Sequence, residues 1–223
     1  MTASAVIVAA GRGARMRSDT RKALLDLSGR PLFVHAVEAF SRVSRIAEIV
    51  VVVHPDDLDA ARTAVATSED RDARFVPGGA TRRESSLAGV RAATGDTVLI
   101  HDGCRPFVTP ALIDRVLDGV ERHGAVVPVV PSTETLYLRD VSGRRLSEVV
   151  NRASIARAQT PQGFRRPLIL RCLEAADPAV TDDASAVLAQ GEPVFTVEGE
   201  AANLKVTHPE DLRWAEALAD HPA

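Results

Sequence analysis

Lysine is nearly absent from this chain. Of its 27 basic residues only Lys22 and Lys205 are lysines, and the other 25 are arginines. Either a drift toward arginine has spared two positions that need a compact ammonium rather than a planar fork, or two lysines have survived by accident. Cysteine is scarce too. Cys104 and Cys172 cannot make a disulfide framework, and they point to a reducing compartment such as the cytoplasm. No apolar run reaches 18 residues, so no membrane-spanning helix is expected. Met1–Ala10 carries no basic stretch before its apolar run and is not expected to be a secretory leader. The P-loop string, the Gly-x-Ser-x-Gly elbow, the Cys-x-x-Cys pair and the His-Glu-x-x-His helix are all missing. Those absences argue against a P-loop phosphate site, an elbow-type serine hydrolase and a zinc site of familiar spacing. A net charge of -3 argues against an electrostatic nucleic-acid binder, although a small anion in a local basic pocket is allowed.

What is present is an alternation of strands and helices. Residues Ala5–Ala10 (AVIVAA) read as a buried strand, followed at once by Gly11-Arg12-Gly13-Ala14-Arg15-Met16. A strand, a glycine turn and a cation can hold a phosphorylated ligand, because turn N–H groups receive an anion and arginine adds a fixed charge. The same string is also what an ordinary strand-to-helix turn looks like. A dinucleotide fingerprint would need glycine at Met16. Helix periodicity follows from Pro31 to Phe40, a buried strand at Ile46–His54, a helix from Pro55 to about Ala66, and a short strand at Arg74–Val76 ending in Pro77-Gly78-Gly79. Thr81 and Glu84 have capping-box spacing for the helix running to Ala93. Asp96–Asp102 is a strand that delivers His101 and Asp102 at its end. A helix from Thr109-Pro110 to His123 and a strand at Ala125–Val130 come next. This order predicts an α/β fold: a doubly wound, mostly parallel sheet in one domain spanning residues 1–223. Ligands in such sheets sit beyond the carboxyl ends of strands, where Gly11, Gly79 and Asp102 fall.

Residues 132–158 interrupt the alternation. Leu136–Leu138 and Leu146–Val150, around the turn Asp140–Arg144, predict a projecting β-hairpin arm that holds the chain's only tyrosine, Tyr137. Such an arm either clasps a second copy of the chain or packs on its own sheet. Thr160–Phe164 reads as a loop, Arg166 to Ala176 as a helix, Ala184–Gln190 as a helix capped by Thr181-Asp182-Asp183, and Glu192–Gly199 as containing a strand. Lys205–Thr207 reads as a short strand end before a last helix opened by His208-Pro209. The polar residues at the predicted rim are mostly cationic: Arg15, Lys22, Arg82, Arg83, Arg105, Arg152 and Lys205, with Asp102 as the leading acid. A cation-rich pocket suits a polyphosphate, whose transfer chemistry rests on positioning and charge stabilisation.

An ordered set of motifs carries a family resemblance. It comprises Ala9-Ala10-Gly11-x-Gly13-x-Arg15-Met16, Lys22, Gly78-Gly79 with Arg82 and Ser85, and His101-Asp102-x-x-Arg105-Pro106. Thr160-Pro161-Gln162, Thr181-Asp182-Asp183-Ala184-Ser185 and Lys205-Val206-Thr207-x-Pro209-x-Asp211-Leu212 complete it. From Ala9 to about Leu218 the chain resembles the 2-C-methyl-D-erythritol 4-phosphate cytidylyltransferases. The resemblance implies a Rossmann-like nucleotidyltransferase fold and CMP transfer from CTP to a polyol phosphate in non-mevalonate isoprenoid synthesis. It implies nucleotide binding by Ala9, Ala10, Gly11, Gly13, Gly79, Ser85 and Asp102, and a catalytic role for Arg15, Lys22 and Lys205. Arg105, Thr135, Arg152 and Thr160 would surround the acceptor, some of them reaching across a homodimer on the arm. Magnesium or another divalent cation would arrive with CTP.

The chain departs from the family pattern at four places. Arg21 stands where proline usually precedes the first lysine, and Gly103-Cys104 replace two alanines. Thr81 replaces an acid, and Glu134 stands for the usual aspartate before Thr135. Two other readings stay open: the same reaction on ribitol 5-phosphate, and a CTP-binding homologue without catalysis.

Overall fold

The structure is a computed structural model that describes residues 2–11, 21–66, 73–177 and 179–220. Its centre is a sheet built on β1 (Ala3–Val8), which is flanked in parallel by β4 (Ile46–Val53) and β6 (Thr97–Asp102). β5 (Ala73–Pro77) pairs in parallel outside β4. The run of valines in β4 is buried, as expected for a strand covered on both faces. Strand β1 stops at Val8, two residues before the expected end, which leaves Ala9, Ala10 and Gly11 as loop at the strand's carboxyl end.

Residue alternation along these strands feeds two cores. Ala5, Ile7, Ile49 and Val51 face one side, with Phe33, Val37 and Phe40 of α1 (Leu32–Ser41) and Ile113 and Val116 of α4 (Pro110–His123). Ala61 and Val65 of α2 (Leu58–Ala66) join that face. Val6, Val50, Val52, Val98 and Ile100 face the other side. There they meet Val90 of α3 (Arg82–Ala92), Leu173 of α5 (Arg166–Ala175) and Val187 of α6 (Asp183–Leu188). The helix punctuation follows from sequence. Thr109 accepts the Leu112 N–H at the start of α4, and Gly124 takes φ 84° after its end. Thr81 and Glu84 form the predicted capping box of α3.

The far side of the sheet departs from expectation. Residues 160–164 were expected as a loop, but Gln162–Arg165 forms a strand, β11, inserted antiparallel between β6 and β7 (Ala125–Pro131). Proline and glycine in the segment hide it. Gly163 is needed because a Cβ there would lie 2.6 Å from methyl carbons of both Val116 and Val120 on α4. The peptide bond between Thr160 and Pro161 is cis. Ala156–Ala158, placed within the arm by the sequence reading, returns to the main sheet as β10 on β7. Val129 pairs with Ala158 on one edge and with Glu198 of β12 (Phe195–Glu198) on the other. The arm proper is β8 (Leu136–Arg139) against β9 (Leu146–Val150), an antiparallel sheet of its own.

A third cluster lies beneath the strand ends. Leu27 of β2 (Asp26–Leu27), which pairs with β3 (Arg30–Pro31), packs with Leu32, Cys104, Val206 and Ala215 of α7 (Pro209–Asp220). Residues Lys205–Thr207 do not form the expected strand end. The Val206 N–H instead reaches the Cys104 carbonyl at 2.9 Å, and the buried Val206 side chain anchors the segment.

Candidate active site

The carboxyl ends of β1, β4, β5 and β6 open into a cavity of about 710 Å³. Backbone fixes its floor. The Ala9 N–H bonds the Val52 carbonyl, the Gly78 N–H bonds the Val53 carbonyl, and the Gly103 N–H bonds the Val8 carbonyl. Gly78 must lack a side chain: a Cβ would overlap the Ala10 Cβ and lie 2.9 Å from the Ser85 hydroxyl. Ser85 is buried on the first turn of α3. Its hydroxyl accepts the Gly79 N–H at 3.2 Å and donates to the Thr81 carbonyl at 2.9 Å. The cavity is lined by Ala9, Ala10, Gly11, Gly79, Ser85 and Asp102, and by both lysines. The two residues that the composition singles out are thus brought to one site. Gly13, Arg15 and Met16 lie outside the described residues.

Asp102 organises the electrostatics. Its carboxylate is 10% exposed and is gripped from two sides. Lys205 Nζ donates to Oδ2 at 2.6 Å, and Arg82 donates to Oδ1 through Nε at 3.2 Å and Nη2 at 3.1 Å. Burial alone would raise the Asp102 carboxyl, but Arg82 and then Lys205 outweigh it and hold it well below the usual carboxylate range. Arg82 is itself shared, with Nη2 lying 2.8 Å from Oδ2 of Asp183. Asp183 is fully buried at the start of α6, behind the Asp182 cap. Burial would lower the Arg82 guanidinium, but Asp183 and Asp102 overcome it and raise it above its ordinary value. An arginine spanning two buried carboxylates is largely neutralised, and Lys205, 37% exposed, is the cation of the set most open to the cavity.

Behind Asp102 runs a chain of fixed donors. His101 is fully buried with its Nε2 3.1 Å from the Arg105 carbonyl. A carbonyl only accepts, so Nε2 carries the proton and Nδ1 has a lone pair for the Thr160 hydroxyl, 3.1 Å away. The Thr160 oxygen in turn accepts the Asp102 N–H at 3.1 Å. The Thr160 hydroxyl is therefore committed to holding the end of β6. Burial pushes the His101 imidazole down to about 4. Arg105, expected near the acceptor, is buried and turned inward. Its Nη1 donates to the Asn203 carbonyl at 2.8 Å, and burial lowers its guanidinium. Thr135 and Arg152 are exposed on the arm segment, where Arg152 donates to the Thr133 carbonyl at 3.2 Å, and neither lines the cavity.

Sequence reasoning gave Arg82 no specific role and read Asp183 as a helix-start acid. Their pairing comes from the packing of α3 against the start of α6, which no local pattern encodes. His54, which also lines the cavity, was read only as the end of a strand.

A doubly wound sheet whose strand ends close on glycine turns, two lysines and a cation-held aspartate is the build of a nucleotidyltransferase. The sequence profile of the 2-C-methyl-D-erythritol 4-phosphate cytidylyltransferases matches residues 3–221. A relative of that name from Frankia casuarinae is 42% identical over 96% of this chain and 80% of its own length. Another, from Geobacillus kaustophilus, is 38% identical over 98% of this chain and 97% of its own. A solved 4-diphosphocytidyl-2C-methyl-D-erythritol synthase from Anaerococcus prevotii superimposes with a TM-score of 0.86 at 31% identity, covering 99% of this chain and 96% of that one. The chain belongs to the 2-C-methyl-D-erythritol 4-phosphate cytidylyltransferase family.

Proposed function

We propose that the protein transfers CMP from CTP to 2-C-methyl-D-erythritol 4-phosphate and releases pyrophosphate. The observation that carries this reading is the meeting of both lysines of the chain in one glycine-floored cavity at the strand ends. An oxygen of the acceptor phosphate attacks the α-phosphorus. The new P–O bond forms as the bond to the bridging oxygen of the β-phosphate breaks, and that oxygen leaves on pyrophosphate. The attacking oxygen is already anionic, so no strong general base is required, and no covalent enzyme intermediate is invoked. The Ala9–Gly11 and Gly78–Gly79 backbones and Ser85 would seat the nucleoside. Lys22 and Lys205, with Arg15, would neutralise charge that grows on the phosphoryl oxygens. Asp102 holds Lys205 in the free protein and releases it to the phosphates, keeping Arg82 as its partner.

Among the described residues no three His, Cys, Asp or Glu side chains converge as a metal site, and both Asp102 oxygens are engaged by cations. These residues do not fit a resident metal cage. Magnesium is therefore assigned to the substrate, as the counter-ion of the triphosphate. The arm offers exposed Tyr137, Leu138, Leu146 and Val149, which supports a homodimer clasped by its hairpins, with Thr135 and Arg152 presented to the partner's acceptor site. The two free cysteines fit a cytoplasmic setting, and among the described residues no helix is long and apolar enough to cross a membrane.

The reaction path is tested with an acceptor whose phosphate oxygens carry oxygen-18, followed by phosphorus NMR. All label should stay in the CDP-linked product. An unlabelled oxygen bridging the two phosphorus atoms of the product, or release of CMP or inorganic phosphate in place of pyrophosphate, would refute attack by the acceptor phosphate at the α-phosphorus.

A further inference from the structure

Strand β4 closes on four buried valines, Val50–Val53, and His54 follows at once; this end lies between the two glycine turns, where the Ala9 N–H bonds the Val52 carbonyl and the Gly78 N–H bonds the Val53 carbonyl. His54 is among the residues that line the cavity, and its side chain is 21% exposed. Its Nδ1 accepts the Asp56 N–H at 3.2 Å and so caps the short helical turn Pro55–Asp57. An amide N–H can only donate, so Nδ1 bears the lone pair and the neutral ring carries its proton on Nε2. The Asp56 carboxylate also comes within 3.3 Å of Nδ1, but Arg21 Nη2 engages the same oxygen at 3.1 Å. Among the described residues, Nε2 has no hydrogen-bond partner.

Capping alone does not call for imidazole, because serine, threonine, asparagine and aspartate cap better. What histidine adds is a second polar atom, the Nε2–H donor on the far side of the ring from the capping nitrogen. We propose that His54 is a nucleotide-binding residue whose Nε2–H donates to an oxygen of bound CTP. This rests on CTP being the substrate. Its place beside the glycine turns, two residues before the Arg21-paired Asp56, leaves either an oxygen of the cytidine monophosphate portion or a β- or γ-phosphate oxygen as the acceptor.

The test separates capping from ligand binding. In His54→Asn the side-chain oxygen can still accept the Asp56 N–H, but the outer donor is gone. In His54→Gln the amide can restore a donor at the outer position. The expected result is a Kd for CTP raised about tenfold in His54→Asn, the loss of roughly one charge-assisted hydrogen bond, with an unchanged melting temperature and partial recovery in His54→Gln. Calorimetry with CMP and CTP locates the acceptor: an equal loss for both assigns it to the monophosphate portion, and a loss for CTP alone assigns it to the outer phosphates. Wild-type affinity in His54→Asn overturns the proposal. Because binding is read directly, a wild-type protein that binds CTP but transfers nothing would overturn the proposed reaction while leaving the His54 assignment to be decided by the same titrations.

Discussion

His101 couples the site to acid stability. It is fully buried, its two ring nitrogens are committed to Arg105 and Thr160, and its edge meets the Phe40 ring with centroids 5.4 Å apart. Burial depresses the folded imidazole from 6.5 to about 4. Between those two values the unfolded chain binds a proton that the folded chain refuses, so stability falls as pH falls. The slope approaches about 1.4 kcal/mol per pH unit, which gives roughly 3 kcal/mol lost between pH 6.5 and pH 4 from this residue. Below about pH 4 both states are protonated and the loss levels off. Urea unfolding of the wild type and His101→Gln at half-unit steps from pH 7.5 to 4 isolates the effect, because carboxylates away from the ring contribute equally to both curves and Asp102 beside it is held ionised by Arg82 and Lys205. The glutamine can still donate to the Arg105 carbonyl but does not titrate. The wild-type advantage should therefore shrink by about 3 kcal/mol across the window. A constant gap between the two curves would refute the buried, neutral assignment.

Three further outcomes follow from the cavity. Lys22→Ala and Lys205→Ala should each lower turnover by about 10²-fold or more, measured by pyrophosphate release, and near-normal turnover in both would sink the mechanism. Gly78→Ala pushes a methyl group into Ala10 and toward Ser85 in the cavity floor. It should raise the KM for CTP by about tenfold or more, and a wild-type KM would show that the floor does not touch the nucleotide. Arg82→Met strands the buried Asp183 without a cation and should cost about 3–5 kcal/mol in chemical denaturation. Adding Asp183→Asn should recover more than half of that loss, and strictly additive losses would contradict the pairing.

The site was partly legible in sequence because the strand-end rule needs only periodicity and position. Gly11, Gly79 and Asp102 each stand at or just beyond the carboxyl end of a strand, and a parallel sheet brings such ends to one rim. The two lysines stood out by composition, and the structure places both in the cavity. The direction in which a side chain leaves the rim is not local information. Arg105 keeps its Nε 3.9 Å from Asp102 Oδ2 but is buried, with its Nη1 donating to the Asn203 carbonyl. Thr160 was placed near the acceptor by resemblance, and no local pattern shows that its hydroxyl bonds His101 and the Asp102 backbone. Strand β11 was missed because its glycine is demanded by valines on a distant helix rather than by a turn. The Arg82–Asp183 pair joins elements far apart in the chain, and only packing reveals it.

The departures at Thr81, Gly103, Cys104 and Glu134 bear on the acceptor, and acceptor choice is the most direct test of the central claim. Pyrophosphate release should be followed with magnesium and CTP, in parallel reactions containing 2-C-methyl-D-erythritol 4-phosphate, ribitol 5-phosphate or no acceptor. The account predicts a kcat/KM for the first at least about 100-fold above the second, roughly 2.7 kcal/mol of transition-state discrimination, and no release without acceptor. Equal or greater use of ribitol 5-phosphate would contradict it.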